Sequence, residues 1–228
     1  MISRHEWKHE INLSDMLTLR QRLRVIAQPD EHTLDGKYDI RSLYFDNIED
    51  KALREKLDGI NIREKFRIRY YNGDTSYIHL EKKSKTGSLG HKESASLTKE
   101  EAQAITDGYF EWMPQHQNKL VQEFYRKINT QGLRPKTIVD YTREPYTYSP
   151  GNVRITIDSH IRTGLFHTDF LNPECPTIPI KGSPIILEVK WDAWLPDIIR
   201  DAIQLTNRHS SAFSKYAACR IYDLTIYY

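Results

Sequence analysis

Residues 62–83 read IREKFRIRYYNGDTSYIHLEKK and contain the clearest structural pattern in the sequence. Apolar and charged side chains alternate on both sides of Asn72-Gly73-Asp74, and alternate residues of a strand point to the same face. The stretch therefore predicts a β-hairpin with one apolar face. The other face is predicted to carry Arg67-x-Arg69 and Glu81-x-Lys83.

The same alternation recurs in later predicted strands. Arg143 and Arg154 lie in such stretches, and Glu188-x-Lys190 alternates with the apolar residues Leu187 and Val189. Two arrangements fit this pattern. A flat sheet would expose its charged face to water, whereas a closed sheet would line a tunnel suited to a polyanion.

The composition limits the classes of function. The chain of 228 residues has 33 basic and 31 acidic residues and a net charge of +2. A protein that coats nucleic acid would have a more one-sided charge, so we expect no nucleic acid partner and an anion site built by local clustering. We see no linker, repeat or composition break, which favours a single domain over residues 1–228.

The sequence also limits the location of the protein. Residues 1–10 lack the apolar core of a signal peptide, and no apolar run approaches the roughly 18 residues of a spanning helix. Cys175 and Cys219 have no metal-ligand spacing, which favours a reduced, intracellular protein. We expect a cytoplasmic protein without a transmembrane segment of its own. Location at the inner membrane would need a membrane-protein partner.

Periodicity and turn residues predict an α+β domain dominated by antiparallel strands. Strands are expected over residues 4–11, 38–45, 62–71, 76–83, 91–97, 137–143, 146–148, 152–160 and 185–191. Helices are expected over 14–28 with Ser14 as the cap, over 47–58, after a Thr98/Glu101 capping box, and over 115–129 and 195–207. The tail from Ser214 onward fits either a helix or a strand.

The charged positions have a structural and a functional interpretation. Four cations between Arg63 and Arg69 would repel one another on one strand face. Such a row is expected on a solvated edge or where an anion binds. Glu81 and Glu188, each followed by a lysine two residues later, could form surface salt bridges. They could equally hold Mg²⁺ or Mn²⁺ that bridges phosphates.

Several short motifs follow one another in a specific order. They are Lys8, Arg67-Ile-Arg69, Glu81-Lys-Lys83, Lys92, Tyr141-Thr-Arg143, Arg154-Ile-Thr-Ile-Asp158, Leu187-Glu-Val-Lys190 and Phe213-Ser-Lys-Tyr216. This set resembles the VTC domain, the polyphosphate polymerase domain of the vacuolar transporter chaperone family within the CYTH-like triphosphate tunnel metalloenzymes. The resemblance covers nearly the whole chain and is that of a bacterial stand-alone form.

The resemblance implies a fold and an activity. The fold is a closed antiparallel β-barrel of about eight strands with helices packed outside, and the activity extends a polyphosphate chain in the tunnel with the γ-phosphoryl group of ATP. The implied phosphate ligands are Lys8, Arg67, Arg69, Lys83, Lys92, Arg143, Arg154, Lys190 and Lys215. Ser214, Lys215, Arg67 and Arg69 are the implied catalytic residues. Glu188 is the implied ligand of Mn²⁺ or Mg²⁺, with Glu81 and Glu6 as further candidates.

The amino-terminal motif departs from the hydrolytic tunnel enzymes, which often begin with Glu-x-Glu-x-Lys. Here the stretch is Arg4-x-Glu6-x-Lys8. The missing carboxylate weakens a second metal site and favours synthesis over hydrolysis, in which metal and water must both be organised. A polyphosphate polymerase is the leading hypothesis. A tripolyphosphatase or nucleoside triphosphatase, and a polyphosphate-binding module without turnover, remain as alternatives.

Overall fold

The computed structural model describes residues 4–31, 33, 35–87, 89–206 and 208–227. Its strands are β1 His5–Ile11, β2 Gln28–Pro29, β3 Tyr38–Asp46, β4 Ile62–Tyr71, β5 Asp74–Thr86, β6 Leu89–Leu97, β7 Arg134–Tyr148, β8 Val153–Thr163, β9 Ile178–Pro179 and β10 Ile185–Trp191. Its α-helices are α1 Leu13–Ile26, α2 Lys51–Leu57, α3 Lys99–Asp107, α4 Lys119–Gln131, α5 Asp197–Ile203 and α6 Lys215–Tyr227. Within these ranges, no helix has the length and apolar character needed to span a membrane. Met1, Asn207 and Tyr228, which bound predicted segments, lie outside the described residues.

The chain has the predicted α+β composition with antiparallel strand pairs. It divides into two compact units. The first unit consists of Met1–Asp39, Tyr141–Ile161 and Pro179–Ser214, and the second consists of Ile40–Asp140, Arg162–Ile178 and Lys215–Tyr228.

In the first unit the strand order is β1-β10-β8-β7, with β2 paired to β7. Leu19 and Leu23 of α1 and Ile199 of α5 share one buried cluster with Leu187 and Val189 of β10. Burial of each such side chain contributes about 1.5–3 kcal/mol. The helices therefore cover the apolar face of these strands, and Glu188 and Lys190 point to the other face, as the alternation predicts.

In the second unit the order is β7-β3-β4-β5-β6. The apolar face of this sheet packs on α3 and α4. Phe124 of α4 stacks on Phe66 of β4 with 5.0 Å between ring centroids and meets Phe45 of β3 edge-on at 4.9 Å. Ile105 of α3 and Leu80 of β5 belong to the same cluster. The charged side chains of β4 and β5 are thereby left on the face away from these helices.

Helix caps explain where two helices begin. The α1 cap is Asn12, not the predicted Ser14. The Asn12 side chain accepts the N–H of Asp15 at 2.8 Å, and the Asp15 carboxylate accepts the N–H of Asn12 at 3.1 Å. Ser14 therefore lies in the first turn. The predicted capping box at α3 is confirmed, with Thr98 and Glu101 satisfying one another's backbone N–H.

The structure differs from the prediction at β7 and decides between the two alternatives that the sequence left open for the tail. Residues 134–148 form one strand where two were expected. The expected break falls near Pro145, but proline restricts the residue before it to extended conformations, which suits a continuing strand. The tail beyond Ser214 forms α6.

Strand pairing corrects the predicted closed barrel. Among the described residues, β1 has β10 as its only strand partner and β6 has β5. A barrel needs two neighbours for every strand, so the prediction of closure by strand pairing is wrong. Eight strands follow one another along the pairing path, as expected, and β2 and β9 pair beside it.

Candidate functional site

One face of β4, β5 and β6 concentrates positive charge. Directly opposed residues of antiparallel strands share a face, and the register aligns Lys65 with Lys83 and Lys83 with Lys92. We call this surface the cationic face. It comprises Arg63, Lys65, Arg67 and Arg69 of β4, His79, Glu81, Lys83 and Lys85 of β5, and Lys92, Ser94 and Ser96 of β6. Four basic residues from β4, two from β5 and one from β6 make seven lysines and arginines, against one carboxylate.

That carboxylate, Glu81, lies at the centre of the cationic face. One of its oxygens, Oε2, accepts from Arg67 Nε at 2.8 Å and Nη2 at 2.7 Å, and lies 3.2 Å from Arg69 Nε. The other, Oε1, lies 2.6 Å from Lys92 Nζ. Burial would raise the pKa of Glu81, but the charges of Arg67 and Lys92 outweigh it and the pKa is lowered. Glu81 is therefore ionised, and three cations surround one negative charge.

The two arginines of the Arg67-x-Arg69 motif differ in accessibility. The Arg67 side chain is 22% exposed, whereas that of Arg69 is 5% exposed. Arg67 Nη1 donates to the Tyr44 hydroxyl at 2.7 Å, and Arg69 Nη1 donates to the Tyr71 hydroxyl at 2.9 Å. Arg69 Nε is buried and makes no hydrogen bond to the described part of the chain. Arg67 is thus the arginine better placed to meet a ligand from solvent.

The other acidic residues of these strands lie on the opposite face. Lys82 lies directly opposite Phe66 of β4 and Glu93 of β6. Its Nζ is 2.6 Å from a carboxylate oxygen of Glu123 of α4. The same Nζ is 3.6 Å from a carboxylate oxygen of Glu64 and 3.6 Å from one of Glu93. These glutamates form ion pairs on the helix side. On β4, β5 and β6, positive charge is therefore in excess on the cationic face, whereas Lys82 on the opposite face has glutamate partners.

In the first unit, charged residues form a balanced ladder. The register of β1 and β10 places Lys8 opposite Glu188 and Glu6 opposite Lys190. Lys8 Nζ lies 3.3 Å from Glu188 and 3.4 Å from Glu6, and Lys190 pairs with Glu188 and lies 3.5 Å from Glu6. Burial alone would lower the pKa of Lys8, but Glu188 and Glu6 raise it. We call these four residues the balanced ladder, because two ammonium groups match two carboxylates.

The two predicted arginine ligands of the first unit also have acidic partners. Arg143 donates two hydrogen bonds to the fully buried Asp158, at 2.6 and 2.8 Å. Burial opposes the charge of Arg143, yet Asp158 raises the pKa of Arg143 well above its usual value. Arg154 Nη2 donates to Tyr38 at 3.0 Å and to Asp30 at 3.2 Å. Arg143 is therefore held as part of a buried pair, and Arg154, whose side chain is 40% exposed, is the more accessible of the two.

Ser214 and Lys215, the remaining predicted residues, lie where the chain passes from the first unit to the second. Lys215 begins α6 in the second unit, which also contains Arg67 and Arg69, whereas Ser214 is the last residue of the first unit. Both side chains are half-buried. The second unit thus contains the predicted residues Arg67, Arg69, Glu81, Lys83, Lys92 and Lys215.

Sequence reasoning missed Tyr44 and Asp30 as partners of the predicted arginines. Tyr44 is in the predicted strand 38–45, but its position opposite Arg67 follows only from the register of β3 and β4. Asp30 is 124 residues from Arg154 in the chain. No local pattern contains either contact.

The carboxylates differ in their fitness for a divalent metal. In the part of the chain that the structure describes, no group of three or more His, Cys, Asp or Glu side chains could hold a metal by itself. Mg²⁺ bound with phosphates usually has only one or two protein carboxylates. Glu6 and Glu188, which share two lysine partners, fit such a site. Glu81 is a single carboxylate with three cationic partners, Arg67, Arg69 and Lys92, and is less suited to a metal.

Comparison with known proteins identifies the family. A sequence profile described as the VTC domain matches residues 3–222. The chain belongs to the VTC domain family. No curated protein gives a significant sequence match. A Bacillus halodurans structure described as a "putative adenylate cyclase" aligns with this VTC domain at a TM-score of 0.52 and 12% identity, covering 89% of this chain and 88% of that one. The PH1012 protein of Pyrococcus horikoshii aligns at a TM-score of 0.49 and 10% identity, covering 94% and 97%. At such identity the Bacillus likeness shows the fold and nothing of the activity.

Proposed function

We propose that this VTC domain is a metal-dependent polyphosphate polymerase that transfers the γ-phosphoryl group of ATP to a growing polyphosphate chain. The observation that most supports this function is the cationic face, with seven basic side chains and one carboxylate. Like charges on neighbouring strands are destabilising, and a bound polyanion relieves the repulsion. Membership of the family supports phosphate chemistry without fixing the reaction.

The extent of the cationic face suits a chain of phosphates. From Arg63 to Arg69, β4 rises about 20 Å at roughly 3.3 Å per residue. Arginine binds phosphate oxygens with a planar fork, and lysine supplies a point charge that tolerates different positions along a chain. Binding along this face does not require the sheet to close.

The chemistry we propose needs positioning and charge neutralisation. The nucleophile is the terminal phosphate of the chain, which is already ionised, so no side chain has to act as a general base. In our proposal Arg67, Arg69 and Lys92 bind phosphoryl oxygens, and Lys215 and Ser214 act at the transferring group. Lys83, on the same face between Lys65 and Lys92, extends the binding surface.

Glu188 and Glu6 are the residues we propose for Mn²⁺ or Mg²⁺. When bound, the metal neutralises charge on phosphoryl oxygens. Lys8 and Lys190 each contact both carboxylates and so hold them in place. We expect the two lysines, together with Arg154, to make further contacts with phosphate.

Arg4 occupies the position that is glutamate in many hydrolytic tunnel enzymes, and this replacement favours synthesis over hydrolysis in our proposal. Arg4 donates to the Asn152 carbonyl, and its Nε lies 3.0 Å from Asp192. A guanidinium engaged by a carboxylate cannot serve as a metal ligand. The motif Arg4-x-Glu6-x-Lys8 therefore supplies one carboxylate, Glu6, where the motif of a hydrolase of this type supplies two.

The products formed from ATP decide between the candidate activities. Purified protein is incubated with ATP and Mn²⁺, with and without a short polyphosphate primer, and ADP, polymer and orthophosphate are resolved. We expect ADP and acid-labile polymer, with any lag removed by the primer. Orthophosphate as the sole phosphate product would identify a hydrolase. Tight polyphosphate binding without turnover would identify a binding module.

A further inference from the structure

A stacked pair of tyrosines lies behind Arg67. Tyr44 of β3 is directly opposite Arg67 of β4 in the register, and its hydroxyl accepts from Arg67 Nη1 at 2.7 Å. The Tyr44 ring stacks on Tyr216 of α6, with 5.0 Å between centroids and 25° between ring planes. Tyr44 is 2% exposed and Tyr216 is 1% exposed. Neither ring is therefore itself a surface for ligand binding.

Tyr216 is in turn fixed by a buried carboxylate. Its hydroxyl donates to Asp46 Oδ2 at 2.7 Å. Asp46 is fully buried and also accepts the N–H groups of Ala52 at 2.9 Å and Leu53 at 3.1 Å, in the first turn of α2. Burial and the adjacent Asp46 raise the pKa of Tyr216 far above its usual value, so the group remains a phenol that donates.

These contacts hold Arg67 from two sides. Its Nε and Nη2 donate to Glu81, and its Nη1 donates to Tyr44. A long arginine side chain that is already ordered loses less conformational freedom when it binds a ligand. Tyr216 also directly follows Lys215, so the same contact fixes the start of α6.

We propose that Tyr44 and Tyr216 are positioning residues that hold Arg67 in the geometry that binds a phosphoryl group. They act through Arg67 and contact no phosphate themselves. We infer this on the basis of the proposed function. Asp46 connects Tyr216 to the first turn of α2 by hydrogen bonds. The stacked Tyr44 ring then connects Tyr216 to Arg67 on the cationic face.

The first test removes one hydroxyl and keeps both rings. In Tyr44→Phe, we expect the dissociation constant for tripolyphosphate, measured by calorimetry in EDTA, to rise about tenfold, which corresponds to about 1.4 kcal/mol. The thermal midpoint should stay within a few degrees of wild type. Tyr109→Phe, which removes a hydroxyl from a residue 65% exposed, is the matched control and should bind as wild type does. An unchanged dissociation constant in folded Tyr44→Phe overturns the positioning role.

The second test separates the stack from the hydroxyl of Tyr216. Tyr216→Leu should weaken tripolyphosphate binding and lower the thermal midpoint, and Tyr216→Phe should recover most of the lost affinity because the stack is kept. A purely structural role predicts lower midpoints without any change of affinity. Wild-type protein that does not bind tripolyphosphate would overturn the proposed function together with the positioning role. Wild-type binding with an unaffected Tyr44→Phe variant would overturn the positioning role alone.

Discussion

The two charged regions differ in their balance of charge, because the balanced ladder is neutral and the cationic face is strongly positive. In the balanced ladder, Glu6 and Lys8 of β1 lie opposite Lys190 and Glu188 of β10, and each ammonium group has both carboxylates as partners. On the cationic face, one carboxylate, that of Glu81, contacts Arg67, Arg69 and Lys92. Both regions contain a Glu-x-Lys pair on a strand, so the motif by itself does not decide the role of its glutamate.

The charge balance of each region determines which ligand it suits. A balanced ladder is stable by itself, and its two carboxylates form the most suitable oxygen donors for a hard divalent cation. A surplus of cations is relieved only by anions, either from the protein or from a ligand. We therefore propose Glu188 as a ligand of the metal and Glu81 as an internal counterion that organises the cationic face.

The largest effect should follow from Glu188→Gln, which keeps the shape of the side chain and removes its charge. We expect turnover with Mn²⁺ to fall by about two orders of magnitude or more, because a metal supplies several kcal/mol of charge stabilisation. Calorimetry in EDTA should show tripolyphosphate binding retained or tighter, since one negative charge is gone. Glu93→Gln, on the opposite face of the second unit, is the matched control. Near-wild-type turnover in a folded Glu188→Gln variant would remove Glu188 from the site.

An effect on stability alone should follow from Arg143→Ala. Asp158 is fully buried and would lose both hydrogen bonds from the guanidinium. Breaking such a pair from one side costs about 3–5 kcal/mol. Urea unfolding should show this loss, and adding Asp158→Asn should recover part of it. If the variant keeps wild-type stability but loses tripolyphosphate affinity, Arg143 is a phosphate ligand. That result would contradict its role as the partner of the buried Asp158.

The smallest effect concerns the pH dependence of Glu81. Its folded pKa is lower than its ordinary value of 4.5, so its charge stabilises the fold above that pH, and this contribution is lost as the pH falls through the folded pKa. We predict that, below about pH 4.5, the free energy of unfolding falls more steeply for wild type than for Glu81→Gln. Urea titrations between about pH 3 and 6 measure the unfolding free energy of both proteins across the range in which a glutamate takes up its proton. Equal slopes for the two proteins would show that Glu81 gains nothing from its cationic partners.

Local pattern predicted much of the fold. The hairpin of β4 and β5 and the apolar faces of β5 and β10 follow from strict alternation, which needs no knowledge of distant residues. The Thr98 cap was likewise visible in four consecutive residues. The exact cap of α1 was not, because Asp15 completes a capping box in place of the more usual glutamate.

The sequence predicts which residue types form the candidate site, and the roles of these residues stay predictions. The sequence places Arg67, Glu81 and Lys92 on strands, but only the register shows that one carboxylate serves three cations. The partners Asp30 and Tyr44 depend on long-range contacts that a single sequence does not contain. Closure of the sheet was inferred from the family resemblance, and strand pairing among the described residues does not provide it.

The location of the phosphate site is tested most directly by two matched double variants, compared by calorimetry with tripolyphosphate in EDTA. Arg67→Ala/Lys92→Ala removes two cations from the cationic face, and Lys8→Ala/Lys190→Ala removes two from the balanced ladder. We predict that the first pair weakens binding about a hundredfold or more, since one hydrogen bond to a charged group contributes about 1.5–3 kcal/mol. The second pair should cause a much smaller loss. A larger loss from the balanced ladder than from the cationic face would contradict our assignment of the phosphate site.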